Sequence, residues 1–411
     1  MFKNSSRRVS PFLAVTAGHL AIDIFNSMGP VVVAFLRAPL GLSAAQVGLA
    51  VGSYQFLAGA TQPPFGWLAD RIGSRFLGPT SVIWTIGLVS LALVLATRTG
   101  SYGLFLAVFS LAALGSGAFH PQGVMHSASS AAGRTATATA IFFLCGQVGL
   151  AGGPILSGYL LEHSGPRGIY ALASIALPVG VLMGVGLRHT SGRRDAPVER
   201  PVAAAPAQAS GHVARVVTLL AIIMTCRGWV TIGTAAFLPA LFQAAGWSPS
   251  QYGIVTGLYW LGAGIAGVVG GRIADRWGRR PVVGVATLAG AALLVVLPIA
   301  RGGWAFATAL LAGALMGAAH SILIVMAQAF LPLRQGLASG LALGYLFGAG
   351  ALSSFAIGIL ADTWGLARVI QGGAAVGLLA AILTAFLPPS RQRAPGDVVA
   401  AAAAGVPATR L

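Results

Sequence analysis

The sequence predicts an all-α integral membrane protein with twelve transmembrane helices in two pseudo-symmetric six-helix halves. Of its 411 residues, 56% are hydrophobic and only 8% are charged, whereas a soluble domain carries about 25% charged residues. The apolar residues fall in twelve runs, and one helical crossing needs about 20 of them. Segments of the first half also recur in the second. This composition excludes a soluble globular enzyme.

The twelve apolar runs are divided in the middle by one longer polar stretch. They fall at about 11–36, 46–68, 77–96, 102–126, 137–161, 168–188, 214–242, 250–271, 282–300, 304–327, 337–361 and 368–388. The runs predict an N-terminal half at 1–188, a cytoplasmic linker at 189–213, a C-terminal half at 214–388 and a cytoplasmic tail at 389–411.

The net charge of +17 is distributed unevenly between alternate loops. One side of the membrane collects 19 Lys and Arg residues, and the other collects only Arg37, Arg98, Arg167, Arg301 and Arg368. By the positive-inside rule, both termini and the linker are expected in the cytoplasm. The excess of basic residues is therefore assigned to topology, and no nucleic-acid partner is predicted.

The two halves repeat each other. Residues 66–75 (GWLADRIGSR) recur as 271–280 (GRIADRWGRR), an offset of 205, which also relates Tyr54 to Tyr259. After a shorter loop, an offset of 200 relates His120 to His320. Parallel halves related by an axis along the membrane normal predict a substrate site between them, near the midplane.

Each copy of the ten-residue segment follows the second helix of its half and resembles the signature loop of the major facilitator superfamily. In that family the aspartate engages a helix N-terminus of the opposite half and helps close the cytoplasmic side, an arrangement stabilised by about 0.3–1 kcal/mol. The resemblance implies a gating role for Gly66, Asp70, Arg71, Gly73, Arg75, Gly271, Asp275, Arg276, Gly278 and Arg280.

Three further segments, 18–23 (GHLAID), 115–121 (GSGAFHP) and 339–348 (SGLALGYLFG), resemble the fosmidomycin-resistance subgroup of that family. This implies a monomeric, multi-pass protein of the bacterial cytoplasmic (inner) membrane that exports drugs and other small molecules in exchange for protons. Gln122 and Ala329 stand where the subgroup has acidic residues, so the coupling mechanism of the subgroup does not transfer intact.

Asp23 is the one acidic residue placed deep in a predicted helix. An ionised aspartate at the bilayer centre costs at least about 2.5–3.5 kcal/mol on insertion scales, so it should face a cavity or a partner. The 205 offset carries Asp23 to position 228, and we expect the adjacent Arg227 to pair with Asp23. The alternative role for such a pair is a permanent ion pair that holds two helices together.

The expected pair predicts how substrate charge sets the coupling. An anion that binds Arg227 would leave Asp23 unpaired and favour its protonation, which gives symport. A cation would compete with the proton for Asp23, which gives antiport. Export of an anion by antiport would need a separate proton site, for which a histidine is one candidate.

Histidines and neutral polar residues complete the candidate site. His19 lies one helical turn before Asp23, and an ordinary imidazole titrates near pH 6.5, so Asp23, His120 and His19 are the predicted proton-coupling residues. The predicted substrate-binding residues are Arg227, Asn26, Tyr54, Gln55, Gln122, His320, Tyr259, Trp260 and Tyr345. No metal site or cofactor is predicted.

Three classes of protein remain to be weighed. An intramembrane hydrolase would need a nucleophile such as that of a Gly-x-Ser-x-Gly elbow in a plausible setting, and ATP drive would need a P-loop. Neither is found in the sequence, and the doubled gating loop argues against a transport-dead sensor. The prediction is a proton-coupled exporter of small polar or anionic molecules; uptake symport or facilitated diffusion of an organic anion remains the alternative.

Overall fold

A computed structural model describes residues 10–72, 76–129, 135–188, 210–330 and 335–388. Within these ranges every regular element is helical, as predicted. The predicted tail at 389–411 lies outside the described residues, as does the linker at 189–213 except for its last four residues, which begin a helix at Ser210.

The described helices form twelve spans, six in each half. Those of the N-terminal half are Pro11–Ser27 with Gly29–Arg37 (span 1), Ala44–Ala60 with Gln62–Ile72 (span 2), Leu77–Thr99 (span 3), Tyr102–Ser129 (span 4), Thr135–Ser164 (span 5) and Pro166–Leu187 (span 6). Those of the C-terminal half are Ser210–Gly228 with Trp229–Gly233 and Thr234–Ala244 (span 7), Pro249–Trp277 (span 8), Arg279–Val296 with Leu297–Ile299 (span 9), Gly303–Ala318 with His320–Phe330 (span 10), Gln335–Trp364 (span 11) and Leu366–Thr384 (span 12).

Several spans are interrupted where the sequence weakens the helix. Span 1 breaks at Met28, just before Gly29 and Pro30, because proline donates no backbone hydrogen bond. Span 2 breaks at Thr61. Eleven of the described segments meet the length and hydropathy expected of a membrane crossing, and span 2 is not among them. Span 7 carries a π-helical turn, Trp229–Gly233, directly after Arg227 and Gly228; such turns are frequent at functional sites.

The two halves meet along two pairs of closely packed helices, spans 2 and 11 and spans 5 and 8. Glycines allow this approach. A Cβ atom at Gly48 in span 2 would collide with the carbonyl of Ser354 in span 11, and one at Gly253 in span 8 would meet the carbonyl of Pro154 in span 5. The pseudo-symmetry predicted from the repeat is thus present in the contacts between the halves.

The outer surface carries many large apolar side chains, such as Ile175 at 74% and Trp304 at 78% exposure. Aromatic residues such as Phe25, Phe109 and Tyr259 are fully buried between the helices. An apolar surface of this kind is costly in water and suits contact with lipid acyl chains. The distribution supports the predicted integral membrane protein.

Candidate functional site

A buried polar cluster surrounds Asp23 in the N-terminal half. Asp23 as a whole residue is 4% exposed. The imidazoles of His19 and His120 both contact its carboxylate, with Nε2–O distances of 3.2 and 3.3 Å. His19 lies one turn earlier in span 1, whereas His120 comes from span 4. Gly146 and Gly149 of span 5 leave the room that this cluster occupies, since a Cβ at either would meet the Asp23 side chain.

The other ring nitrogen of each histidine faces a backbone carbonyl. His19 Nδ1 lies 2.8 Å from the carbonyl oxygen of Phe142, and His120 Nδ1 lies 2.8 Å from that of Ser116. A carbonyl oxygen only accepts, so both Nδ1 atoms carry a proton. Nε2 of a neutral imidazole is then a hydrogen-bond acceptor, as is the ionised carboxylate. Their contact is favourable only if a further proton lies on the imidazole or on Asp23. The geometry therefore favours a proton between the carboxylate and each imidazole.

Asn26 and Tyr54 extend this cluster toward span 2. The Asn26 amide donates to Asp23 Oδ1 at 3.0 Å and to Ser116 Oγ at 3.1 Å. The Tyr54 hydroxyl in turn donates to Asn26 Oδ1 at 2.5 Å. Three of the predicted residues, Asp23, Asn26 and Tyr54, are thus joined in one hydrogen-bonded chain, with Ser116 as a member that the sequence did not suggest.

The ligand atoms of His19, Asp23 and His120 lie within 4.8 Å of one another, a spacing that could hold a divalent metal ion. The side chain that completes the surroundings of Asp23 is the Asn26 amide, which presents an N–H donor to the carboxylate. A donor at this position suits an anionic oxygen and opposes a cation. The three side chains are the ones predicted from the sequence to couple protons, and that role stays a prediction.

A second polar centre lies in the C-terminal half around Arg227, which is 3% exposed. Its guanidinium donates to Thr287 Oγ1 at 2.5 Å and to the carbonyl oxygen of Met316. Arg227, Thr231 and His320 line a cavity of about 10 Å³, room for about one water. The Thr231 hydroxyl is buried there without a hydrogen-bond partner. This centre presents a buried cation and an unpaired hydroxyl to a small space that is otherwise lined mainly by apolar side chains.

The predicted Asp23–Arg227 ion pair is wrong. Asp23 is bound by His19, His120 and Asn26, and Arg227 by Thr287 and Met316. The repeat equates Asp23 with position 228 rather than 227, and one residue turns a side chain by about 100° around a helix. Asp23 consequently faces spans 4 and 5, and Arg227 faces spans 9 and 10. The dependence of coupling on substrate charge that was expected from a direct pair therefore does not apply.

The two centres are nevertheless built on equivalent positions. Tyr54 and Tyr259 are related by 205 residues, as are their partners Asn26 and Thr231; the Tyr259 hydroxyl donates to the Thr231 carbonyl at 3.1 Å. Ser116 and Met316 are related by 200 residues. Their carbonyls hold His120 in one half and Arg227 in the other. One architecture thus supports an acidic centre and a basic centre.

The remaining predicted binding residues lie apart from these centres. Gln55 accepts a hydrogen bond from Ser354 of the other half at 3.3 Å, and Trp260 packs edge-on against Tyr259. Tyr345 is bonded to Thr225 of span 7 at 2.7 Å. Gln122 is fully buried, donates to the Ala118 carbonyl at 2.7 Å, and leaves its Oε1 unpaired near Gly78 of span 3. Their proposed contact with substrate stays a prediction.

The gating loops are described only in part. Gly73 and Arg75 lie outside the described residues, as do the side chains of Asp70 and Arg71. In the second copy, Gly278 takes a positive φ of 91°, which glycine adopts without steric cost, and Arg280 donates to the carbonyl of Leu387 at 3.4 Å. Gly66, Gly271, Asp275 and Arg276 lie at the ends of spans 2 and 8, so the gating assignments stay predictions.

The hydrogen bonds of Arg227 to Thr287 and to the Met316 carbonyl were not predicted from the sequence. Thr287 lies in the apolar part of its helix, beyond the signature segment at 271–280, and Met316 contributes only its backbone. Ser116 could have been found, because it sits one turn before His120 and matches Met316 in the repeat.

Comparison with known proteins agrees with this architecture. The chain is 28% identical over 385 residues to the fosmidomycin resistance protein of Escherichia coli (strain K12), covering 92% of this chain and 93% of that protein. It is 27% identical to an uncharacterized MFS-type transporter, YfnC, of Bacillus subtilis (strain 168), over 91% of both chains.

Solved structures share the fold at lower identity. A bacterial homolog of the human lysosomal transporter Spinster, in an inward-facing and occupied conformation, superposes with a TM-score of 0.75 at 17% identity, covering 92% of this chain and 96% of that one. A D-xylose-proton symporter superposes with a TM-score of 0.71 at 18% identity, covering 93% and 99%. The family description Major Facilitator Superfamily matches residues 15–244 and 218–410. The chain belongs to the major facilitator superfamily of membrane transporters and is similar to its fosmidomycin-resistance subgroup.

Proposed function

We propose that this transporter exports small polar or anionic molecules in exchange for protons, by alternating access of its two halves. The observation that carries the proposal is the Asp23 carboxylate enclosed by His19 and His120. Both termini, the linker and the signature loops are assigned to the cytoplasm, and the protein to the bacterial inner membrane. The halves at 1–188 and 214–388 are the moving units, and the transporter works as a monomer without a cofactor.

Protons bind at the Asp23 cluster. An imidazole titrates near neutral pH, and the carboxylate stabilises the protonated ring. His120 is the member through which protons exchange, because its side chain is 27% exposed whereas those of His19 and Asp23 are 4% and 5% exposed. This histidine takes the role left open by Gln122, two residues further along span 4.

The anionic substrate binds toward Arg227. Its partners in the protein, Thr287 and the Met316 carbonyl, are neutral, so the buried guanidinium retains its full charge for an anion. Because Arg227 and Asp23 are not paired, an anion at Arg227 does not by itself favour protonation of Asp23, which would have given symport. Export by antiport then needs no further acidic residue, and the two sites are coupled through the movement of the halves.

The similarity to the fosmidomycin resistance protein makes fosmidomycin, a phosphonate antibiotic, the first substrate to test. The assay is fosmidomycin susceptibility, across external pH, of a bacterium that lacks its own exporter and expresses the wild type or Asp23→Asn. We expect the wild type to protect, less so as external pH rises, and Asp23→Asn to give no protection at equal membrane expression.

Gly152→Ala is the matched control, since a Cβ there meets no atom within 4 Å. Equal protection by Asp23→Asn and the wild type would contradict the proton assignment. No protection by well-expressed wild type would contradict fosmidomycin as substrate.

Uptake of a small organic anion, by symport or facilitated diffusion, is the second candidate. The neutral surroundings of Arg227 favour it, because they suit an anion regardless of direction. Proteoliposomes with an imposed pH difference, tested with fosmidomycin and with benzenesulfonate, an organic anion that stays ionised and does not cross the bilayer as a neutral acid, separate the functions. Accumulation on the alkaline side indicates symport, accumulation on the acidic side indicates antiport, and equilibration without dependence on the pH difference indicates facilitated diffusion.

A further inference from the structure

Two carboxylates at the same end of the molecule each form hydrogen bonds with the opposite half. Asp362, at the end of span 11, accepts hydrogen bonds from the backbone N–H groups of Ala44 and Ala45 at 2.7 and 3.0 Å, at the N-terminus of span 2. Glu162, at the end of span 5, accepts from the Ser250 N–H at 2.8 Å and the Ser248 hydroxyl at 2.7 Å, at the N-terminus of span 8. Each acid thus caps a helix of the opposite half.

The two contacts are copies of one another. Glu162 and Asp362 are 200 residues apart, and Ala45 and Ser250 are 205 apart, which are the two offsets of the internal repeat. The equivalent of Ala44 is Pro249, which has no N–H to donate. The Ser248 hydroxyl supplies the missing hydrogen bond. The pair of donors is therefore retained in both copies although the residues differ.

A glycine one helical turn before each acid allows the approach. A Cβ at Gly158 would collide with the Pro249 carbonyl, and one at Gly358 would lie 2.6 Å from the Ala44 carbonyl. Any side chain there would push the carboxylate away from the N–H groups that it caps. The sequence signature is a glycine followed four residues later by an acid, GYLLE at 158–162 and GILAD at 358–362.

These contacts lie opposite the signature loops, because span 2 runs from Ala44 at the capped end to its loop after Ile72. The topology assigned above makes the capped end the outside. A carboxylate over a helix N-terminus is stabilised by the partial positive charge and the free N–H groups there. Both contacts join opposite halves, so both have to break before the halves can separate at this end.

We infer that Glu162 and Asp362 form a symmetric external gate, two equivalent latches that hold the outer side closed and release together when the transporter opens outward. This inference rests on the alternating-access cycle of the proposed function, but not on its substrate or on proton coupling. Removing either latch shifts the transporter toward the outward-open state without altering the Asp23 or Arg227 centre.

The test is a distance measurement between spin labels on the two halves. Labels at Thr99→Cys and Arg301→Cys, in a background with Cys145 and Cys226 replaced by serine, report the separation of the outer ends in the purified full-length protein in nanodiscs. We expect Glu162→Gln and Asp362→Asn each to raise the ratio of open to closed protein by roughly two- to fivefold, and the double variant to raise it by about the product.

His163→Gln is the matched control, since His163 is exposed beside Glu162 and its hydrogen bond is to Tyr159 within its own helix. Unchanged distances in the double variant, or an equal shift in the control, would overturn the gate.

Ala44→Pro is a second variant that the fold should tolerate, because the equivalent position in the other half is already Pro249. It removes one donor to Asp362 but leaves the Ala45 N–H and the Ser43 hydroxyl, the counterparts of the Ser250 and Ser248 donors around Glu162. We therefore expect little or no shift, and a shift as large as that of Asp362→Asn would count against the gate. Because the distances need no substrate, a failed fosmidomycin assay leaves this test intact.

Discussion

Asp23 and Arg227 lie within one residue of equivalent positions in the two repeats, yet each is bound entirely within its own half. The carboxylate is held by histidines of spans 1 and 4, and the guanidinium by spans 9 and 10. A direct exchange of partners between proton and substrate is therefore absent from this arrangement. In the proposed cycle, coupling arises because each site is open to one side of the membrane in each conformation of the halves. The two centres can therefore be mutated separately.

The two histidines of the acidic centre should differ in function. His120→Gln is expected to reduce proton-driven export roughly tenfold and to flatten its dependence on external pH, because the more exposed of the two imidazoles at Asp23 is lost. Export by proteoliposomes at several pH values measures this. His19→Gln should instead lower the thermal unfolding temperature, since His19 is buried and stacked on Phe142 at 3.9 Å. An unchanged pH profile in His120→Gln would contradict the assignment.

Arg227→Gln should weaken binding of an anionic substrate by roughly ten- to a hundredfold, as expected when a charge-assisted hydrogen bond is lost. A neutral substrate should be affected little. Arg227→Lys should restore only part of the affinity, because a single ammonium cannot reproduce the forked contacts to Thr287 and Met316. Titration of fosmidomycin into purified protein measures both. Equal losses for anionic and neutral solutes would show that Arg227 is needed for folding rather than for charge recognition.

The helical architecture could be predicted from the sequence because hydrophobic runs and a repeated loop are signals carried by neighbouring residues. The contact of His19 with Asp23 could be predicted for the same reason, because residues four apart lie next to each other on one face of a helix. The break in span 2 at Thr61 was not predicted, although residues 62–64 (QPP) mark the place.

Contacts between helices were less predictable. The repeat places Arg227 next to the position equivalent to Asp23, but a position along the chain does not specify which neighbour a side chain faces. The convergence of His120 on Asp23 depends on how spans 1 and 4 are rotated about their axes, and on the space left by Gly146 and Gly149. The acids at 162 and 362 were visible as helix-end residues, but their partners lie 86 to 318 residues away.

Tyr54 and Tyr259 offer a matched pair of equivalent hydroxyls. Phenylalanine at either position should cost about 0.5–1.5 kcal/mol of stability through one lost hydrogen bond. Only Tyr54→Phe should also change the pH dependence of export, because Tyr54 orients the Asn26 amide that donates to Asp23, whereas Tyr259 reaches a backbone carbonyl. Thermal unfolding and export at several pH values test the pair. Identical pH profiles for the two variants would mean that the Asn26 amide keeps its orientation toward Asp23 without the Tyr54 hydroxyl.

Two glycines of span 5, six residues apart, should respond oppositely to a single methyl group. A Cβ at Gly146 would lie 2.6 Å from His19 Nε2 and 2.9 Å from Asp23 Oδ2, while one at Gly152 would meet no atom within 4 Å. Gly146→Ala is therefore expected to destabilise the protein by about 1–3 kcal/mol through overpacking and to reduce export by displacing the imidazole from the carboxylate. Gly152→Ala should leave export intact and raise the unfolding temperature slightly, because alanine is the better helix former. Thermal unfolding in detergent and export by proteoliposomes distinguish the two. Normal export in Gly146→Ala would mean that the cluster tolerates displacement, and that the geometry around Asp23 is not what carries the proton.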